Sequence, residues 1–401
     1  MMDKLIQIQN GQEQSDNLIN RTLKNLEYRR NRVLNGDINC IPLPFNRFRA
    51  DMPGIEQGTY YLVSGLSKSS KTQLTNYLFV YNSLLYAYDN PNKLSVKFFY
   101  FPLEETPESI TLRFISFLLW IKFKIRVSPT DLKSTNSDKP LDDSILEKLH
   151  NEEIQSILRF YESKVEFLSD RNPTGVWKVA KNYAENNGKT FYKDLKIKDK
   201  NTGLEETMKV FDYYTPNNPN EYVFIIVDHV SLIDPEKGYQ LRESINKLSE
   251  YMVILRNRYN YIPVVVQQQN SETANLEAFK ANKIRPTLAG LGDSKYTGRD
   301  CTVMIGITNP FAFELPEYYG YDIRKLRGNF RIMEIVLNRN GISNGICPLY
   351  FDGSINYFKE LPKPNEREEL NKVYRYLDES NKVSNKIFFL KSKFKDKWQI
   401  V

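Results

Sequence analysis

The sequence predicts an α/β fold built on a mainly parallel central sheet. Runs of apolar residues alternate with helical stretches along the chain. Several of these runs are apolar throughout rather than at every second position, the pattern of strands covered on both faces. One of them, Thr59 to Gly65, stops at a glycine turn that leads straight into a helix.

In chain order, Asp16 to Leu34 places Ile19, Leu23, Leu26 and Val33 on one helical stripe, interrupted by Arg30. The turn-rich NGDINCIPLPF follows, so this arm either docks on a neighbouring subunit or folds back on its own domain. The strand TYYLVSG and the helix opened at Thr72 come next, then the strand VKFFYFPLE from Val96 to Glu104 and a long helix after Pro107. Between Asn186 and Asn220 the chain turns polar and lysine-rich with no helical stripe, which reads as a surface insertion built on a small hairpin. Further strands are expected at Tyr222 to Val230, Ile262 to Gln269, Cys301 to Thr308 and Phe330 to Arg339. The tail is helical to about Ser380 and ends in the basic, aromatic KIFFLKSKFKDKW, read as a solvated terminal extension.

Composition limits the function classes. With 401 residues, 41% hydrophobic and 26% charged, carrying 26 Tyr and 23 Phe, the chain is globular rather than disordered. The net charge of +7 leans toward a polyanionic partner. Cys40, Cys301 and Cys347 lie far apart, and with only His150 and His229 beside them no zinc cluster is expected. The most apolar run, Phe114 to Ile121, is far shorter than the roughly 20 residues of a membrane span. The start MMDKLIQIQNGQEQ lacks the basic head and apolar middle of a secretory signal, so a reducing, cytoplasmic setting without membrane contact is expected.

The chemistry sits in Gly65 to Thr72, GLSKSSKT, one residue away from the phosphate-loop pattern G-x-x-x-x-G-K-[ST]. Such a loop needs a strand ending in a tight turn, backbone N–H groups aimed at phosphates, a lysine for the β and γ phosphates and a hydroxyl for Mg²⁺. Gly65 supplies the turn, Ser69 and Ser70 the loop backbone, Lys71 the lysine and Thr72 the hydroxyl. Ser70 replaces the second glycine, whose missing Cβ tolerates backbone angles that serine resists. Downstream, FIIVDHVSLID puts Asp228 at the mouth of an apolar strand, where a carboxylate can hold hydrated Mg²⁺. Glu104 also follows a strand; it is either the carboxylate that activates water or, with Glu105, a first-turn acid favoured by the helix dipole.

Together these stretches resemble the motor domain of the DnaB-type replicative helicases, ring-forming members of the RecA-like ATPases, in a divergent, phage-like form. The resemblance runs from about Pro42 to Lys359 and rests on PLPFNRFRADMPGIEQGTYYLVSG, FPLEETPESITLRF, FLSDRNPTGVWKVAKNYA, FIIVDHVSLI, IPVVVQQQN, LAGLGDSKYTGRDCTVMIGI and LNRNGISNG. It implies a RecA-like P-loop ATPase core at 42–360, with 186–220 inserted, between an arm and linker at 1–41 and a helical and basic tail at 361–401. It also implies ATP and Mg²⁺ as ligands, Glu104 as the catalytic glutamate, Gln268 or Gln269 as the γ-phosphate sensor and Arg339 as an arginine finger acting on the adjacent subunit. Lys237, Arg242, Lys280, Lys283 and Arg285 become candidates for contact with single-stranded DNA in the channel of a hexamer. A primase or a loader is the implied further partner.

Leu337 stands where the family has a lysine, and the family's amino-terminal helical domain has no counterpart. The reading is therefore a ring-forming ATP-dependent DNA helicase of replication. Its alternatives are a recombinase-like or regulatory ATPase that assembles on DNA without unwinding it, and a degenerate RecA-like protein kept as a structural or DNA-binding component.

Overall fold

The computed structural model describes residues 18–198, 205–270 and 284–382. The chain divides into two compact units, Met1–Ile41 and Pro42–Val401. In the first, helix α1 (Leu18–Leu34) leaves Ile19, Leu23, Leu26 and Val33 exposed. Arg32 Nη2 donates to the Ile38 carbonyl at 2.8 Å, fixing the turn that follows the helix.

The second unit is built around strands β1 (Tyr61–Gly65), β2 (Ser95–Pro102), β3 (Val165–Phe167), β6 (Glu221–Asp228), β7 (Ile262–Gln268), β8 (Val303–Thr308), β9 (Phe330–Asn338), β10 (Ile346–Asp352) and β11 (Tyr357–Glu360). Among the described residues they form one sheet in the order β11-β10-β9-β8-β1-β7-β6-β2-β3. From β8 to β3 every pairing is parallel, and β9, β10 and β11 extend the sheet antiparallel. The apolar runs of the sequence become the parallel strands because both faces are covered. All of β1 is buried, and so is β6 after its first residue.

Helix α2 begins at Lys71–Thr75 and continues through a π-helical stretch, Asn76–Tyr81, into Asn82–Asp89. Helix α3 (Pro107–Phe123) starts where Thr106 accepts from the Ser109 N–H and Pro107 takes a position needing no N–H partner. The run Phe114 to Ile121 lies inside α3, where Phe117 stacks on Tyr81 at 5.0 Å, and Phe79 of α2 meets Tyr61 of β1 at 5.1 Å. No helix among the described residues is long and apolar enough to cross a membrane.

Helices α4 (Pro173–Asn186) and α5 (Leu241–Tyr259) join the other large core, where Val176, Ala180, Leu248 and Met252 pack with Leu62, Phe101, Ile225 and Val265 of the sheet. Helix α6 (Arg367–Lys382) packs Leu370, Tyr374 and Leu377 with Phe330 and Ile332 of β9. The segment after α4 forms a separate antiparallel ribbon, β4 (Gly188–Lys198) with β5 (Glu205–Pro216), anchored where Tyr214 donates to the Ala184 carbonyl. The basic end of the tail, KIFFLKSKFKDKW, lies outside the described residues.

Candidate nucleotide site

Strands β1, β7, β6 and β2 are consecutive neighbours running the same way, so their carboxyl ends share one edge of the sheet. Register aligns Gly65 with Gln268 and Asp228 with Pro102. The Gly65 to Thr72 loop, Gln268, Asp228 and the residues after Pro102 therefore gather along the crevice where open α/β sheets take ligands.

The loop folds as a phosphate cradle. A Cβ on Gly65 would lie 2.4 Å from the Ile307 carbonyl and from Ser69 Oγ, so the chain passes there only as glycine. Ser70 adopts the left-handed conformation (φ 76°, ψ 36°) that the missing glycine would take freely. For a non-glycine residue this conformation costs about 1–2 kcal/mol. The Ser70 hydroxyl accepts a hydrogen bond from Arg331 Nε at 3.1 Å, a charge-assisted contact that offsets the strain. The expectation that serine resists these angles is corrected in this respect: the backbone keeps the glycine geometry and the side chain is tied down.

Ser69 is buried and its Oγ has no partner. Lys71 Nζ turns back to the Leu66 carbonyl at 3.1 Å. Burial pulls the Lys71 pKa down, and the charges of Asp228 and Glu104 oppose this. Thr72 Oγ1 donates to Asp228 Oδ1 at 3.2 Å and Tyr100 donates to Oδ2 at 3.3 Å. An orphaned loop hydroxyl, an ammonium resting on its own loop and a hydroxyl–carboxylate pair fit a phosphate chain with Mg²⁺, a cation that takes few protein ligands beside phosphate and water.

Asp228 is 3% exposed, and burial pushes its pKa up to about 7, with Glu105 and Glu104 adding to the rise and the Thr72 and Tyr100 bonds opposing it. The unfolded carboxyl ionises near pH 4, so the folded state holds the proton longer and loses stability as pH climbs from there to 7, with no further loss above. Without Mg²⁺, Asp228→Asn is expected to cancel about 3 kcal/mol of the wild-type decline between pH 5 and pH 8. Urea unfolding at the two values measures it, and equal declines in both proteins would refute the assignment of a buried charge.

The two acids after β2 separate. Glu105 binds Arg113 Nη1 through both oxygens, at 2.7 and 2.5 Å. Glu104 keeps its side chain 55% exposed, with His229 Nε2 at 3.5 Å. Of the first-turn pair, only Glu105 is occupied by its own helix. The three glutamines ending β7 also separate. Gln267 is buried, donating to the Gly292 and Ser294 carbonyls and accepting from Thr297. Gln269 donates to Ser64 Oγ at 2.8 Å and accepts from the Thr287 N–H at 3.1 Å. Gln268 is half-buried beside Gly65 and its side chain takes part in none of these bonds.

Arg339 lies elsewhere. Strand β9 runs antiparallel to β8, with Ile332 opposite Thr308 and Asn338 opposite Val303, and Val303 is level with Tyr61. Arg339 thus follows β9 at the amino end of β1, about 13 Å along the strand from the loop at 3.3 Å per residue. It is exposed, and its Nε and Nη2 donate to the Cys301 and Arg299 carbonyls at 2.9 and 2.5 Å. Leu337 packs against the main core, a place where a lysine ammonium would need a route to water. Lys237, Arg242 and Arg285 are exposed, whereas Lys280 and Lys283 lie outside the described residues.

Two residues at this edge escaped the sequence reading. Arg331 is 6% exposed and stands inside a strand that reads as continuously apolar; an arginine in such a run was the available signal. His229 sits between Glu104 and Lys71, and burial lowers its pKa.

No family model and no curated protein matches the sequence. Solved structures do. The ATPase domain of one DnaB-like helicase superposes with a TM-score of 0.57 at 14% identity, covering 87% of this chain and 100% of that one. A DnaB-like replicative helicase, whose structure was described together with its interactions with primase, gives 0.59 at 13% identity over 90% of this chain and 70% of that one. The chain has the RecA-like α/β fold of these DnaB-type helicase ATPase domains.

Proposed function

We propose that this protein is an ATP-dependent DNA helicase that works as a ring, a hexamer, moving along single-stranded DNA in replication. The observation that carries the reading is the division of the machinery between opposite ends of the sheet. Lys71, Thr72, Asp228, Glu104 and Gln268 stand at the carboxyl end, and Arg339 is exposed at the other, out of reach of its own loop. An arginine so placed serves a phosphate site only on a second copy of the chain, which calls for an assembly.

In this reading Lys71 binds the β and γ phosphate oxygens, and Thr72 with Asp228 holds Mg²⁺. When bound, the metal neutralises charge on those oxygens. Glu104, exposed and not committed to its helix, orients the attacking water and takes its proton. Gln268, free of the bonds that occupy Gln267 and Gln269, reports γ-phosphate occupancy. Arg339 of one copy stabilises charge developing on the phosphoryl group held by the next. Lys237, Arg242 and Arg285, with Lys280 and Lys283, supply cationic contacts to the strand in the channel. The placement is cytoplasmic, with a primase or loader as a further partner.

The reading of a degenerate, non-hydrolysing component rests on Ser70 and Leu337. It is weakened by the left-handed Ser70, which preserves the shape of the loop. ATP hydrolysis with Mg²⁺, stimulated by single-stranded DNA, together with forked-duplex unwinding and a rise in particle mass with a non-hydrolysable ATP analogue, is the expected result. Hydrolysis without unwinding would leave a DNA-bound ATPase, and no hydrolysis with single-stranded DNA present would end the motor reading.

A further inference from the structure

Arg331 is a buried cation placed where only an anion explains it. It lies on β9 one residue before Ile332, which pairs with Thr308 beyond the level of Ser64, so it stands beside the phosphate loop. Its Nε donates to Ser70 Oγ and its Nη1 to the Gly328 and Phe330 carbonyls at 2.9 and 2.6 Å, while Nη2 takes part in none of these bonds. The guanidinium stacks 4.7 Å from the Phe351 ring, and among the described residues no carboxylate is paired with it. Burial alone drags its pKa down to about 10. A charge this deeply buried without a counter-ion is costly unless something supplies the negative partner. Two further buried polar atoms at the same place lack partners, Ser69 Oγ in the loop and Thr308 Oγ1 at the end of β8.

We propose that Arg331 is a phosphate ligand in cis, a second cation beside Lys71 that binds the phosphate chain of the nucleotide held by the loop. The inference rests on the loop being a nucleotide site and adds a residue to it. It also explains why serine is accepted at position 70: its hydroxyl steers the guanidinium toward the cradle. Arg331 and Arg339 then have opposite duties, the first toward its own loop and the second toward another copy.

The test uses the full chain with two probes, ADP and inorganic tripolyphosphate, which lacks base and sugar, with affinities read by calorimetry. Arg331→Met is expected to weaken both by about 10–100-fold, the size of a charge-assisted hydrogen bond. The same variant made on Ser70→Gly separates a ligand from a prop. Glycine needs no tether to take the left-handed conformation, so a residue that merely held Ser70 in place would cost nothing when removed there, whereas a phosphate ligand would cost the same again. Arg331→Lys keeps the charge and is expected to lose less than the methionine variant, which provides a reading if methionine does not fold.

Unchanged tripolyphosphate binding in Arg331→Met, or no effect of Arg331→Met on the Ser70→Gly background, would overturn the proposal while leaving the loop assignment intact. A wild-type chain that binds neither probe would overturn both. Loss of binding in Lys71→Ala locates the probes at the loop.

Discussion

Lys71→Ala is expected to abolish ATP hydrolysis, with turnover falling at least about 100-fold, the scale on which removing one positioned charge-stabilising donor acts. Lys71 heads α2 at the end of the cradle, and in the absence of nucleotide its ammonium finds only the Leu66 carbonyl. Its lowered pKa means that the folded chain bears the charge at a cost. The alanine variant should therefore keep or raise its melting temperature while losing activity. Phosphate release and thermal unfolding, measured side by side, make the comparison. Turnover within about threefold of wild type would remove Lys71 from the site, and a large drop in melting temperature would assign it a structural part.

Arg339→Ala is expected to lower kcat by about 10³–10⁵, the usual worth of an arginine finger. Its distance from Gly65 makes a second outcome specific. When Arg339→Ala and Lys71→Ala proteins are mixed, neither active alone, each intact loop can sit beside an intact arginine on the other variant, and part of the hydrolysis should return. An arginine acting on its own loop gives no recovery on mixing. Arg339→Lys checks the geometry, because the two carbonyls that fix the side chain receive Nε and Nη2 separately, a fork that lysine cannot reproduce.

The fold was legible because its parallel strands are apolar on both faces. YLVSG, FIIVD and IPVVV need no alternation to be recognised, and the antiparallel run FRIMEIVLN was recognised with them. Asp228 was legible for the complementary reason, an acid at the end of such a run. The antiparallel hairpin of β10 and β11 was not, since ICPLYFD and YFKE carry no distinctive period and are strands chiefly because β9 offers them an edge. Nor could three successive glutamines be told apart in sequence. Their alternate faces reach different neighbours, and only Ser64, Thr287, Gly292 and Thr297 show that Gln267 and Gln269 are spoken for. Ser70 looks like a handicap from its side chain alone, and its partner lies 261 positions away.

Strand β9 has Arg331 near one end and Arg339 just past the other, eight residues apart and so separated by about 27 Å of extended backbone at 3.4 Å per residue. Hydrogen-bonded on both flanks, it behaves as a stiff rod rather than a spring. Nudging the guanidinium at one tip, as an arriving anion does, displaces the other tip with little slack between them. Around a closed circle of copies, occupancy of each chamber would be felt by the next one through a single length of chain, giving firing in sequence a mechanical basis that needs no hinge.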